Sequence, residues 1–256
     1  MQLVDSHSHI DADEFDADRA QAIDRARAAG VGRQVVPAVD AITWPKLRDV
    51  CAAHPGLFPA YGLHPTFLAG HTPQHLAQLR EWIEREQPLA VGECGLDYFI
   101  EGLDREAQAH YFEAQLEIAH DVDLPVIVHA RRAVEEVLLA IRRFDGLRGV
   151  VHSFSGSRQQ AEQLWERGFL VGLGGPVTYA RAKRIRRLAA SMPLEFLLLE
   201  TDAPDQPDCH GQGERNEPAN LPRVLDAIAA LRDEDPALIA AATTANAERL
   251  FNLPAI

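Results

Sequence analysis

The chain has 256 residues, of which 46% are hydrophobic, enough to bury one large core. Its formal net charge of -13 excludes a protein that coats nucleic acid non-specifically, which needs a basic surface, but not an enzyme whose bound cations reverse the field at one site. Cys51, Cys94 and Cys209 form no CxxC pair and are too sparse for a disulfide scaffold, so a reducing compartment is expected.

The first residues carry no basic segment and reach Asp5 at once, and no apolar run is long enough to span a membrane; a soluble cytoplasmic protein is expected. Short apolar runs bounded by turn residues predict strands at 3–7, 34–39, 57–63, 89–93, 125–129, 149–152, 169–172 and 196–200. Amphipathic stretches between them predict helices at 19–29, 74–86, 105–120, 133–143, 159–167 and 180–190, and the tail from 221 to 250 predicts two more, broken near Asp235-Pro236. Strand and helix alternating in this way imply parallel strands with helical crossovers. Eight such repeats predict a single α/β domain over residues 1–256, a TIM-type (β/α)8 barrel, with a doubly wound open sheet as the alternative.

Active sites of such barrels lie at the carboxyl ends of the strands, and reactive side chains collect there. The first strand runs into His7-Ser8-His9, whose alternate side chains can share a metal ion. The third leads to His64, the fourth to Glu93, the fifth to His129, the sixth to His152 and the eighth to Asp202. One histidine at a strand end is usually a hydrogen-bonded rim residue; this many on one rim point to metal chemistry. Arg131, two residues past His129, suits a bidentate phosphate contact, with a surface ion pair as the plainer role. His64 reads either as an outer ligand or phosphate donor or as a satisfied rim residue, and Asp97 as a turn-stabilising carboxylate. Gly172, Gly174 and Gly175 are expected to serve a tight strand-to-helix turn rather than a phosphate cradle, Tyr98 and Phe154 to pack rather than stack on bases, and Cys94 to pack on the face opposite Glu93. Arg181, Lys183, Arg184, Arg186 and Arg187 form a basic run that reads equally as a solvated helix face or as a guide for DNA.

Taken together, DSHSHID at 5–11, GLHP at 62–65, VGECGLDYF at 91–99, LPVIVHAR at 124–131, VVHSFSGS at 150–157, GLGGPVTY at 172–179, LLLETDAPD at 197–205 and RNEP at 215–218 resemble the TatD-related metal-dependent deoxyribonucleases, relatives of the amidohydrolases. The wording around 36–38, 174–182 and 201–205 is most similar to the YjjV-like branch. The resemblance implies that His7, His9, Glu93 and Asp202 hold one divalent ion and that Glu93 bridges to a second held by His129 and His152. Zinc, manganese or magnesium would suit these donors. It further implies Glu93 and Asp202 as catalytic carboxylates, His64 and Arg131 as substrate contacts, and Asn216 and Glu217 in a return loop that lies near the site or merely braces it. The implied activity is hydrolysis of DNA phosphodiester bonds, at ends or in single strands, by water activated at the metal pair, without a membrane or a stable protein partner. The alternatives are an amidohydrolase-like enzyme acting on small esters, amides or phosphoesters, and a metal-stabilised binding protein with a dead site, which the complete ligand set disfavours.

Overall fold

Every predicted strand forms, and all pair in parallel. The computed structural model describes residues 2–254, with strands β1 (Leu3–Asp5), β2 (Val31–Pro37), β3 (Leu57–Ala60), β4 (Val91–Asp97), β5 (Val126–Arg131), β6 (Gly149–Val151), β7 (Phe169–Leu173) and β8 (Leu197–Leu199). The helices between and after them are α1 (Arg19–Ala28), α2 (Trp44–Ala53), α3 (Pro73–Glu86), α4 (Arg105–Asp121), α5 (Val134–Ile141), α6 (Arg158–Trp165), α7 (Lys183–Ser191), α8 (Leu221–Arg232) and α9 (Pro236–Phe251).

The strands form two ladders, β1-β2-β3 and β4-β5-β6-β7-β8. At one seam Tyr61 bridges Val91, and the Gly92 N–H donates to the Tyr61 carbonyl at 2.9 Å. At the other, the N–H and Oγ of Ser6 both donate to the Leu199 carbonyl at 3.0 Å. Neither seam is a continuous ladder, but together they bring the strands round in the order of a TIM-type (β/α)8 barrel. No helix among the described residues is long and apolar enough to cross a membrane.

Two differences from the sequence reading matter for the site. Strand β4 continues to Asp97 rather than ending at Glu93, in register with β5 so that Gly95 faces His129 and Asp97 faces Arg131. Helix α2 was not among the predicted segments; it forms because Trp44, Leu47, Val50 and Cys51 fall on one buried stripe and Pro45 suits the first turn.

The barrel interior is a layer with one residue from or just before each strand: Val4, Val35, Ala60, Ala90, Ile127, Val150, Leu170 and Leu198. Leu250, Phe251 and Leu253, at the end of α9 and just beyond it, pack against this layer. Side chains alternate along a strand, so the residue two places on from an interior position points into the same space one layer higher. Ile127 is thus followed by His129, Val150 by His152, and Leu198 by Glu200. The polar site is the next storey of an apolar barrel.

Candidate metal centre

The two chain segments that carry His7, His9 and Asp202 are fastened to each other. Asp5 is buried at the end of β1, where Oδ1 accepts the N–H groups of His7 (3.2 Å) and Thr201 (3.0 Å) and Oδ2 accepts the Thr201 hydroxyl at 2.6 Å. The Asp202 N–H donates to the His7 carbonyl at 2.9 Å, and the His9 N–H to the Ala203 carbonyl at 2.7 Å. Burial pushes the Asp5 carboxyl up to about 7, the cost of placing an anchor without a cation beside it.

Glu93 stands at the centre, and its two oxygens face different groups. Oε2 lies 3.1 Å from His7 Nε2 and 3.5 Å from His9 Nε2; those two nitrogens are 3.2 Å apart, and Asp202 Oδ1 sits 3.5 and 3.6 Å from them. Oε1 lies 2.8 Å from His152 Nε2, 3.0 Å from His129 Nδ1 and 3.0 Å from His64 Nε2, with His129 Nδ1 and His152 Nε2 at 3.3 Å. A tetrahedral ion with ligands at about 2.0–2.1 Å separates those ligands by roughly 3.3 Å. The spacing in both groups fits that figure.

The outward-facing ring nitrogens decide which inner ones carry lone pairs. His9 Nδ1 meets the Pro37 carbonyl at 3.1 Å and must donate to it, so Nε2 is left as an acceptor aimed at Glu93 and His7. His129 Nε2 meets Asp97 Oδ2 at 2.9 Å, so its Nδ1 faces Glu93 Oε1 as a second acceptor. Acceptors that converge at such distances need a proton or a metal ion between them. His64 differs: its Nδ1 accepts the Thr66 N–H at 3.2 Å, which leaves the proton on Nε2. His64 therefore presents a donor to the site, where the neutral His9 and His129 rings present lone pairs.

In the absence of a cation, protons take that place. Burial opposes charge on Glu93, but His152, His64 and His7 around it hold its carboxyl well below the usual range. Burial equally opposes charge on His9 and His152, yet the facing carboxylates prevail and raise them to about 9 and about 10. Burial prevails at His7, which is lowered, and at His64, lowered to about 4. It also raises Asp202, and Glu200 to about 8.

Several residues hold the centre in shape. Asp97 does more than stabilise a turn: Oδ1 accepts the N–H groups of Phe99 and Ile100 at 2.9 and 3.1 Å while Oδ2 orients His129. Gln206 donates to Asp202 Oδ2 and accepts the Ser153 hydroxyl at 2.7 Å, linking three residues whose φ values of 47°, 58° and 44° lie in the left-handed region. The RNEP segment is a brace. Asn216 Nδ2 donates to the carbonyls of Thr201 and Asp205, both at 2.9 Å, while Arg215 and Glu217 join Asp18 and Arg25 of the α1 region in an ion-pair network. Gly172 makes room for Glu200, because a Cβ there would lie 2.0 Å from Glu200 Oε2; the glycines after β7 serve packing rather than a phosphate cradle.

The centre opens into a cavity of about 930 Å³ whose lining includes His64, Phe67, Ile100, Arg131, Ile185 and Gln206. Arg131 has no carboxylate partner among the described residues; its guanidinium lies 3.7 Å from the Phe99 ring centre. Phe154 is buried and Tyr98 is covered by Arg105, so neither is open to a base, and Cys94 packs in the core. In the basic run, Arg184 and Arg186 donate to the carbonyls of Ser155 and Val177, and Arg181 lies over Tyr179. The sequence reading passed over Glu200, Gln206, Phe67 and the second role of Asp97. Glu200 carried a usable signal, since it stands two residues before Asp202 on the inward face of its strand.

Known proteins share this architecture. The family model for TatD-related DNases matches residues 4–252. The chain is 41% identical to the metal-dependent hydrolase YjjV of Escherichia coli (strain K12) over 256 residues, 99% of each chain. It is 34% identical to the 3'-5' ssDNA/RNA exonuclease TatD of Erwinia tasmaniensis, covering 98% of this chain and all of the other. The crystal structure of Escherichia coli YjjV superposes with a TM-score of 0.95 at 40% identity over 98% of both chains. Sequence, fold and the order of the site segments thus agree: the chain belongs to the TatD-related DNase family of metal-dependent hydrolases.

Proposed function

We propose that the chain is a nuclease that hydrolyses phosphodiester bonds at the ends of single-stranded nucleic acid, with two divalent cations. The observation that carries this reading is the split of Glu93, one oxygen facing the His7, His9 and Asp202 group and the other facing His129 and His152. The imidazole-rich donor set suits zinc better than magnesium, and its carboxylates also admit manganese. Two such ions would draw electron density from the phosphoryl oxygens and make water nucleophilic at neutral pH.

The chain's own groups then have separable tasks. His64, whose Thr66 contact leaves the proton on Nε2, donates to Glu93 Oε1 at 3.0 Å here and would turn that donor to a phosphate oxygen once cations engage Glu93. Arg131, without an ion-pair partner among the described residues and lining the cavity, binds a second oxygen of the phosphate. Asp202, clamped through Oδ2 by Gln206, directs Oδ1 at the centre, where it orients the attacking water and receives its proton. The name of the Erwinia relative, an exonuclease on single-stranded DNA and RNA, supports the substrate class.

One feature favours a second reading, hydrolysis of a small ester or phosphoester: Asp11, Asp13, Glu14 and Asp205 line part of the cavity and disfavour a long polyanion there. A substrate panel separates the two. Labelled single-stranded oligonucleotide, a small phosphodiester and a simple carboxylic ester, compared at equal manganese or zinc, should show the oligonucleotide preferred. Turnover of the ester or small phosphodiester with every oligonucleotide inert would replace the nuclease reading.

A further inference from the structure

Among the described residues, four of the strongly exposed large apolar side chains lie on three consecutive loops at the carboxyl ends of the strands: Ile42 after β2, Phe67 after β3, and Phe99 and Ile100 after β4. The others, Val122, Leu139 and Leu238, stand singly on or beside helices. Isolated exposure is ordinary, but clustering at the mouth of a polar cavity is not. Phe67 and Ile100, 43% and 41% exposed, both line the cavity itself. Phe99 is differently engaged, with the guanidinium groups of Arg131 and Arg132 3.7 and 4.7 Å from its ring centre.

We propose that Phe67 and Ile100 form a ledge that stacks the base of the nucleotide whose phosphate lies at the metal centre. Distance carries this assignment. The Phe67 ring centre is 5.7 Å from that of His64, whose Nε2 is 3.0 Å from Glu93 Oε1. A phosphate at the centre thus places its own base, across one sugar, against Phe67. The flanking groups suit a nucleotide rather than an aliphatic chain, since the unpaired guanidinium of Arg131 and the donor Nε2 of His64 stand beside the ledge.

The backbone that carries Phe67 is also held in place before substrate arrives. The Phe67 N–H donates to the His64 carbonyl at 3.1 Å, that carbonyl also meets His71 Nε2 at 2.9 Å, and Thr66 is tied to His64 Nδ1. Stacking on an aromatic face accepts any base because every base has a π-face. The ledge would therefore supply affinity without sequence preference.

The proposal rests on the nuclease reading for the phosphate position, and the test keeps the two apart. Calorimetric binding of dAMP and of 2-deoxyribose 5-phosphate is compared on metal-loaded wild type, Phe67→Ala, Phe67→Trp and Phe67→Ala/Ile100→Ala, with thermal unfolding to verify the fold. Wild type should bind dAMP about tenfold more tightly than the base-free phosphate, within the range one stacked base contributes. Phe67→Ala should remove most of that preference without changing affinity for the base-free compound, Phe67→Trp should keep it, and the double variant should abolish it. Equal affinity for both ligands in wild type, no binding of either, equal loss of both in Phe67→Ala, or a preference that survives the double variant would each overturn the ledge. Turnover of a single-stranded oligonucleotide is measured on the same samples. A base-dependent affinity without any cleavage would retain the ledge and reject the nuclease, and cleavage without base dependence would do the reverse.

Discussion

Glu93 stands between two groups of donors, one at each carboxylate oxygen, and in the proposed two-cation site its charge would offset the repulsion between the cations. Glu93→Gln keeps the shape and removes that charge. The variant should bind at most one divalent ion by elemental analysis and lose several orders of magnitude in turnover, with its fold unchanged by circular dichroism. The raised histidines make a second expectation. His9 and His152 hold protons up to about 9 and about 10 in the metal-free protein, above the ordinary imidazole value, so at neutral pH each must give up its proton before it can act as a ligand. Burial opposes charge on His129 too, but Asp97 and Glu93 raise it as well. Metal loading at pH 7 should therefore release at least two protons, read from the dependence of calorimetric enthalpy on buffer ionisation, and apparent affinity should climb with pH until those groups are deprotonated. Release that stays near zero at pH 7 would mean the site is already deprotonated. At this scale the sequence was most legible where a histidine closes an apolar run, as with His129 and His152. It was least legible for Asp97, because its contact with His129 depends on β4 running four residues past Glu93, and nothing local in the sequence marks that extension.

The elements that matter most are short connections, and their residues explain motifs that chemistry alone does not. The segment after β8 makes a backbone turn that would drift without Asn216, which ties down the carbonyls of Thr201 and Asp205 from a buried position. Asn216→Ala strands those carbonyls and should cost about 1–3 kcal/mol in chemical denaturation, and it should lower kcat through loss of Asp202 placement. Gly172→Ala tests a different kind of fit. Its added methyl would meet buried Glu200 at 2.0 Å, so it should destabilise by about 1–3 kcal/mol, whereas no effect would show that Glu200 can retract. Strand positions were readable from short apolar runs bounded by turn residues, and the tail helices from the Asp235-Pro236 break. Helix α2 escaped because its stripe of Trp44, Leu47, Val50 and Cys51 is short and follows a loop without a strong cap: Thr43 makes no side-chain capping bond.

Across the whole molecule, the apolar layer of the barrel and the polar layer above it are separate structures built on the same strands. The lower layer, with Val4, Ile127, Val150 and Leu198 closed off by α9, does not use the metal donors. Metal-free protein should therefore remain folded, and excess metal should raise the unfolding temperature through mass action, the stabilisation being about 4 kcal/mol for each site at a thousandfold excess over its Kd. In the proposed nuclease the same separation would reconcile a net charge of -13 with a phosphodiester substrate, because attraction would be supplied locally by cations at the centre and by Arg131, not by the surface as a whole. The most direct test is titration of metal-free protein with manganese while cleavage of an end-labelled single-stranded oligonucleotide is followed. Cleavage should be absent without metal, reach its maximum at two equivalents per chain and vanish on chelation; full activity in the metal-free protein, or none at two equivalents, would contradict a two-metal nuclease centred on Glu93.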